Sequence, residues 1–204
     1  ELERVVPVIA ALRATDPAIR ISVDTSKPEV MAAALEAGAG LVNDVRALTL
    51  PGALETVARY RPLVCVMHMQ GQPDTMQKAP RYQDVVAEVE TFLQDRLQAC
   101  RNAGIPRSHL LADPGFGFGK TVAHNMRLLA ELPRLQSLGV PLLVGLSRKS
   151  IVGALTGRPT AERLPGSLAA AMLALERGAR ILRVHDVAET RDVVEVWHGV
   201  QILD

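Results

Sequence analysis

One grammar repeats along the chain: an amphipathic segment of helical period, a glycine, a short apolar run, then polar residues. EVMAAALEAG ends at Gly38 and LVND follows; VVAEVETFLQDRLQACRNAG ends at Gly104 and HLLAD follows. LLAELPRLQSLG ends at Gly139 before PLLVGLSR, and SLAAAMLALERG ends at Gly178 before ILRVHD. A glycine just past a helix takes the left-handed conformation that stops it, and the apolar runs have the length of buried strands. With ISVD and PLVCVMH there are six such runs, each separated from the next by a helical or mixed segment. That alternation predicts parallel strands joined by right-handed crossovers. Strands buried on both faces read as continuous apolar runs, as these do. In the longest helical segment Val85, Val86, Val89, Phe92, Leu93, Leu97 and Cys100 recur at helical spacing and read as core.

The ends of the runs narrow the fold further. They finish in Asp24; Asn43 with Asp44; His68; Asp113; Ser147 with Arg148 and Lys149; and Arg183 with His185. In a (β/α) barrel every carboxyl end of a strand opens on one mouth, whereas in an open doubly wound sheet only the loops at the switch point meet. Polar endings on all six runs favour the TIM (β/α)8 barrel. Six strands would leave two bare sheet edges, and 204 residues fall short of the ~250 typical of that fold. ELERVVPVIAALRAT reads as an amphipathic helix, so the chain opens inside a βα unit. The expectation is a single barrel domain over residues 1–204, without about the first two βα units.

Composition excludes several classes. A net charge of +1 gives no electrostatic reason to expect nucleic acid or an anionic membrane as partner. No apolar run approaches the roughly 18 residues of a membrane span. Cys65 and Cys100 lack metal-ligand spacing and read as reduced, buried thiols, consistent with a cytoplasmic protein.

DPGFGFGKT, Asp113 to Thr121, looks like a nucleotide phosphate cradle, but the spacing is wrong. A P-loop needs glycine, four residues, then Gly-Lys-Ser/Thr. Counting back from Gly119 puts Pro114 at the first glycine, and proline has no N–H to give. The dinucleotide fingerprint fails as well, because Lys120 stands at its third glycine. What remains is a carboxylate at the end of an apolar run, then a glycine-rich loop, with Lys120 and Thr121 reading as the start of the next helix.

Asp24, Asn43 and Asp113 suit a planar heterocycle with an N–H/NH2 edge, since a carboxylate accepts two parallel hydrogen bonds. An aspartate after a strand also caps helices, and DTSKPEV with Pro28 fits that reading equally. Ser147, Arg148 and Lys149 place two adjacent cations after a buried run, fit for a carboxylate, a phosphate, a ring carbonyl or a plain surface pair. In ILRVHD, strand alternation puts Arg183 and His185 on one face, fit for an anion or a leaving group. HMQGQPDTMQ, His68 to Gln77, has the proline, glycine and amides of a mobile loop. The five histidines, His68, His109, His124, His185 and His198, have no ligand spacing. No nucleophile–His–acid arrangement emerges from spacing.

In order along the chain, ISVDTSKPEV, LVNDVRAL, VCVMHMQGQPDTMQ, LLADPGFGFGKT, LLVGLSRKS and RVHDV resemble the motifs of the dihydropteroate synthases. The resemblance implies a folate-biosynthesis transferase, a TIM barrel and usually a homodimer, that joins 4-aminobenzoate to 7,8-dihydropterin-6-ylmethyl diphosphate and releases diphosphate. It assigns the pterin's pyrimidine edge to Asp113 and Asn43, with Asp24 beside the ring, Met67 on its face and Arg183 stacked over it. Lys149 would contact the ring carbonyl and N5. Arg183 and His185 would face the diphosphate, and Phe118, Ser147 and the Lys149 stem would form part of the aminobenzoate site, where sulfonamides compete. The family normally uses magnesium, and its first-strand asparagine ligand has no counterpart in these residues, so the metal site is expected outside the chain. This stretch by itself is accordingly expected to be inactive or poorly folded. Two rivals share some of these features: a corrinoid-dependent pterin methyltransferase domain, not expected to carry SRKS or RVHD, and a non-catalytic pterin-binding module.

Overall fold

The computed structural model describes residues 1–72, 76 and 79–201. Pro73, Asp74, Thr75 and Gln77, the centre of the expected mobile loop, lie outside the described residues. The elements alternate as the sequence predicts, and all six runs contain a strand. The strands stand in the sheet in chain order, β1-β2-β3-β4-β5-β6. Two compact units are distinguished, one comprising Glu1–His68 and Thr91–Ala112, the other Met69–Glu90 and the chain from Asp113 onward.

The first unit opens with helix α1 (Leu2–Thr15), followed by β1 (Ser22–Asp24), α2 (Pro28–Glu36), β2 (Leu41–Asp44), α3 (Ala53–Tyr60) and β3 (Leu63–Met67). β1, β2 and β3 pair in parallel, with Asp24 opposite Asn43 and Asn43 opposite Cys65. Asn43 and Asp44 therefore leave β2 on opposite faces. Asp44 is fully buried and accepts hydrogen bonds from Ser26 Oγ, from the Arg46 N–H at 2.9 Å and from the Leu48 N–H at 2.8 Å. Those bonds hold a turn in which Ala47 and Leu48 both have positive φ, 51° and 59°. Arg96 secures the same turn by donating to the carbonyls of Ala47 and Leu48. The long helix α4 (Val85–Asn102) runs from the second unit into the first. Its expected core face is buried at Val85, Val86, Val89, Leu93, Leu97 and Cys100, whereas Phe92 keeps partial exposure.

The second unit takes the chain from the end of β4 (Leu110–Asp113) through α5 (Val122–Ala130), β5 (Leu142–Val144), α6 (Ser150–Thr156), α7 (Leu164–Glu176), β6 (Ala179–Leu182) and α8 (Val187–Gln201). β5 and β6 pair in parallel with a register shift between Leu142 and Leu143. The structure corrects three readings here. β6 starts directly after Gly178 and its pairing ends at Leu182 opposite Val144, so Arg183 and His185 sit in the following loop and strand alternation does not govern them. LLAELPRLQSLG is not one helix: α5 stops at Ala130 and Leu132–Leu138 is a 3-10 turn, because Pro133 lacks an N–H and its ring crowds the preceding turn. Lys120 stands outside α5. Only Thr121 belongs to the helix start, as an N-cap that accepts the His124 N–H at 3.1 Å while the His124 ring accepts the Thr121 N–H.

The helix-stopping role expected of the glycines holds, with φ of +110° at Gly38, +85° at Gly104 and +94° at Gly178. Cys65 and Cys100 are free and buried, and burial pushes the Cys100 thiol up to about 11. Among the described residues no helix is long and apolar enough to cross a membrane. Replacing Asp44 with Ala should remove about 3 kcal/mol of stability, since it orphans a buried turn N–H and two further donors. Chemical denaturation checks this.

Candidate active site

Asp113 ends β4 with 5% exposure. Its Oδ1 accepts the Gly115 N–H at 2.7 Å, a local turn rather than a helix cap. Burial raises its pKa, and this outweighs the lowering by Lys149, the Gly115 N–H, Lys120 and Arg183. The loop can turn back on the carboxylate because Gly115, Gly117 and Gly119 all have positive φ, at 70°, 82° and 62°. A Cβ at Gly119 would come within 2.3 Å of the Gln70 carbonyl oxygen. Tyr82 reaches the same loop and donates to the Gly119 carbonyl at 2.8 Å.

Lys149 meets this loop. Its ammonium donates to the Phe116 carbonyl and lies 4.7 Å from the centre of the Phe118 ring, close enough for a cation–π contact. Burial lowers its pKa, Asp113 opposes that shift and Arg183 adds to it. Ser147, also buried, accepts the His185 N–H at 3.2 Å, and its Oγ lies 3.0 Å from His185 Nδ1. Beside that pair Arg148 forms a two-pronged ion pair with Asp186, with Nε to Oδ2 at 3.0 Å. Arg148 has a φ of +56°, and its backbone is held by Ser167 Oγ and Arg163. The two adjacent cations of SRKS thus have different tasks: Arg148 ties one loop to the next, and Lys149 addresses the glycine loop. Arg183 is exposed, and its backbone N–H bonds to the Val144 carbonyl.

In the first unit Asp24 is exposed at the end of β1, and it is not the cap of α2, whose N-cap is Lys27. Asn43 is 4% exposed, and among the described residues neither its Oδ1 nor its Nδ2 has a hydrogen-bond partner. Met67 is 2% exposed. His68 is buried, edge-on to Phe92 with ring centres 5.0 Å apart. Among the described residues no three His, Cys, Asp or Glu side chains are grouped to hold a metal.

The structure therefore joins Asp113, Phe118, Ser147, Lys149 and His185 through loop contacts in one unit, with Arg183 acting on Asp113 and Lys149, and sets Asp24 opposite Asn43 in the other. Sequence reasoning read Lys120 as the start of a helix, missed Asp186, and took Asp44 only as a polar strand end. A lysine inside a glycine-rich loop was the available signal for the first, and an acid two residues beyond Val184 for the second.

The chain matches the family described as pterin binding enzyme over residues 1–185. It is 51% identical to the dihydropteroate synthase of Haemophilus influenzae over 199 residues, 98% of this chain and 72% of the relative. The solved Xanthomonas albilineans dihydropteroate synthase in complex with 7,8-dihydropteroate is 56% identical, with a TM-score of 0.92 over 98% of this chain and 74% of the other. The same enzyme is also solved with 4-aminobenzoic acid, at 57% identity and a TM-score of 0.93 over 98% of this chain and 71% of that one. The Yersinia pestis enzyme in a sulfonamide complex is 47% identical, with a TM-score of 0.96 over all of this chain and 74% of its own.

Asp113 yields a stability expectation of definite sign. Its folded pKa is raised, so between the unfolded and folded values the native state holds more protons and stability falls as pH rises. Asp113→Asn should raise the melting temperature of the ligand-free protein at neutral pH by a few degrees. The gain should vanish below about pH 4, where both states carry a neutral group. Thermal melts at the two pH values check this.

Proposed function

The chain belongs to the dihydropteroate synthase family of pterin-binding enzymes, with its TIM (β/α)8 fold, and we propose that it joins 4-aminobenzoate to 7,8-dihydropterin-6-ylmethyl diphosphate. The products are 7,8-dihydropteroate and diphosphate. The observation that carries this reading is the state of Asn43: an amide buried near the end of β2 whose polar atoms both lack a partner among the described residues. Such a group costs about 1–3 kcal/mol unless something outside the chain satisfies it. A pterin edge offers the complementary donors and acceptors.

In this reading Asn43 and Asp113 read the pyrimidine edge, Asp24 lies beside the ring and Met67 against its face. When ionised, the Asp113 carboxylate can accept from the ring's N–H and NH2 groups together. Lys149 contacts the ring carbonyl and N5, and its stem borders the aminobenzoate with Phe118 and Ser147. Arg183 stacks over the pterin and, with His185, faces the diphosphate. The bond from the pterin methylene to the diphosphate oxygen breaks, and its electron pair leaves with the diphosphate. Positive charge then develops on the methylene and spreads into the electron-rich ring, where Asp24 and Asp113 stabilise it. The aminobenzoate nitrogen supplies the pair for the new C–N bond and gives up a proton to solvent. No general base is required, because this amine is already nucleophilic; what remains is positioning.

Among the described residues no three His, Cys, Asp or Glu side chains are grouped to hold a metal; the magnesium that the family resemblance implies would take other ligands, and no step here runs through it. A sulfonamide, sharing the shape of aminobenzoate, should compete at Phe118, Ser147 and Lys149. A cytoplasmic homodimer is the assembly that accords with this family.

The test is diphosphate release by the complete protein. Release that requires both substrates is expected, and pterin binding without aminobenzoate-dependent release would overturn the reading. Asp113→Asn should weaken dihydropterin binding by about 1–3 kcal/mol in calorimetry. Lys149→Ala should lower kcat/KM for both substrates by on the order of a hundredfold, measured by steady-state kinetics.

A further inference from the structure

Lys120 has no task in the reaction above, yet it is 3% exposed, a rare state for a lysine. Its Nζ donates to the carbonyls of Gly115 at 2.9 Å and Phe118 at 3.2 Å. Those two residues bracket a turn that the Phe118 N–H closes on the Gly115 carbonyl at 3.1 Å. Within the bracket, the Phe116 carbonyl and the Phe118 ring are the groups that meet Lys149. Asn125, 2% exposed, holds the intervening residue by accepting the Gly117 N–H at 2.7 Å, and its own NH2 donates to the carbonyls of Lys120 and Thr121. Three side chains thus act on four consecutive residues, and Lys120 holds both ends.

We propose that Lys120 is a positioning residue for the aminobenzoate site: its buried ammonium fixes the Gly115 and Phe118 carbonyls so that the Phe118 ring and the Phe116 carbonyl stay presented to Lys149. The inference rests on the reading of Phe118 and Lys149 as parts of that site. An ammonium does this better than a neutral donor because a charge-assisted hydrogen bond is about twice as strong. The charge also balances the buried carboxylate at the root of the loop.

Burial draws the Lys120 pKa down to about 7, with Asp113 opposing the shift and Lys149 adding to it. Among the described residues, other groups at this loop include Arg183, which acts on Asp113 and Lys149, Gln70 against Gly119, and Tyr82, whose phenol is held up by burial and whose ring is edge-on to His124. The ammonium is present below about 7 and is lost as pH rises through that value, so its hold on the turn should weaken on the alkaline side.

The experiment uses the complete protein loaded with dihydropterin and diphosphate, with 4-aminobenzoate binding followed by calorimetry on both sides of neutrality. Lys120→Met keeps the stem and removes the ammonium. It should lower aminobenzoate affinity at acidic pH by about tenfold, leave binding of dihydropterin alone within about threefold, and flatten the pH dependence. Lys120→Gln, a neutral donor, should fall between Met and wild type with the same flattened profile, and it carries the test if the Met variant does not fold. Wild-type affinity with an unchanged pH profile in a folded variant would overturn the assignment. Absence of aminobenzoate binding by the wild-type protein would instead overturn the site reading beneath it.

Discussion

Burial of a carboxylate at the end of β4 is the constraint around which the glycine loop is organised. Asp113 lies in a dry position that disfavours its own charge, an effect that outweighs the cations near it. The fold supplies it with a backbone N–H from two residues downstream. The three positive-φ glycines follow from that requirement, since only a chain free of Cβ strain can turn back this sharply on the carboxylate. A group kept in a costly state is poised for an outside partner, and stability and function pull against each other at that residue.

The loops are held by side chains acting on backbone groups. Loops lack the ladder of a strand, so their carbonyls and N–H groups need partners from elsewhere. Asp44 and Arg96 supply them after β2, Lys120 and Asn125 after β4, and Ser167 and Arg163 after β5. The Arg148–Asp186 pair and the Ser147–His185 contacts then join the loop after β5 to the loop after β6. Two such linkages side by side, the ion pair part-buried, restrict how the loops can shift relative to each other.

Much of this was legible in the sequence because burial on both faces of a strand demands an uninterrupted apolar run. The first polar residue after such a run marks where the strand meets its loop: Asp24 and Asp113 end their strands, and Asn43 stands one residue before the end of β2. ILRVHD misled because its apolar letters continue past the last residue that β5 can pair; the bulge at Leu142 and Leu143 has no local sequence signature. Lys120, Arg148 and Asp44 were illegible for another reason. Each is a charged residue whose role is fixed by backbone groups or an acid that only the folded loops bring within reach, so the sequence offered only a helix start for Lys120, one of two adjacent cations for Arg148 and a polar strand end for Asp44. Pro133, in contrast, was a visible helix breaker whose effect on LLAELPRLQSLG was predictable from its ring alone.

Under the proposed function the buried Asn43 amide, without a hydrogen-bond partner among the described residues, is completed by a flat heterocycle. The most direct measurement is the side-chain amide resonance of Asn43 in the complete protein, followed by nitrogen-edited NMR as dihydropterin is added. A large shift of the Asn43 NH2 signals with slowed solvent exchange, saturating with ligand binding, is the expected result. Signals that stay unmoved while the ligand saturates the protein would contradict it.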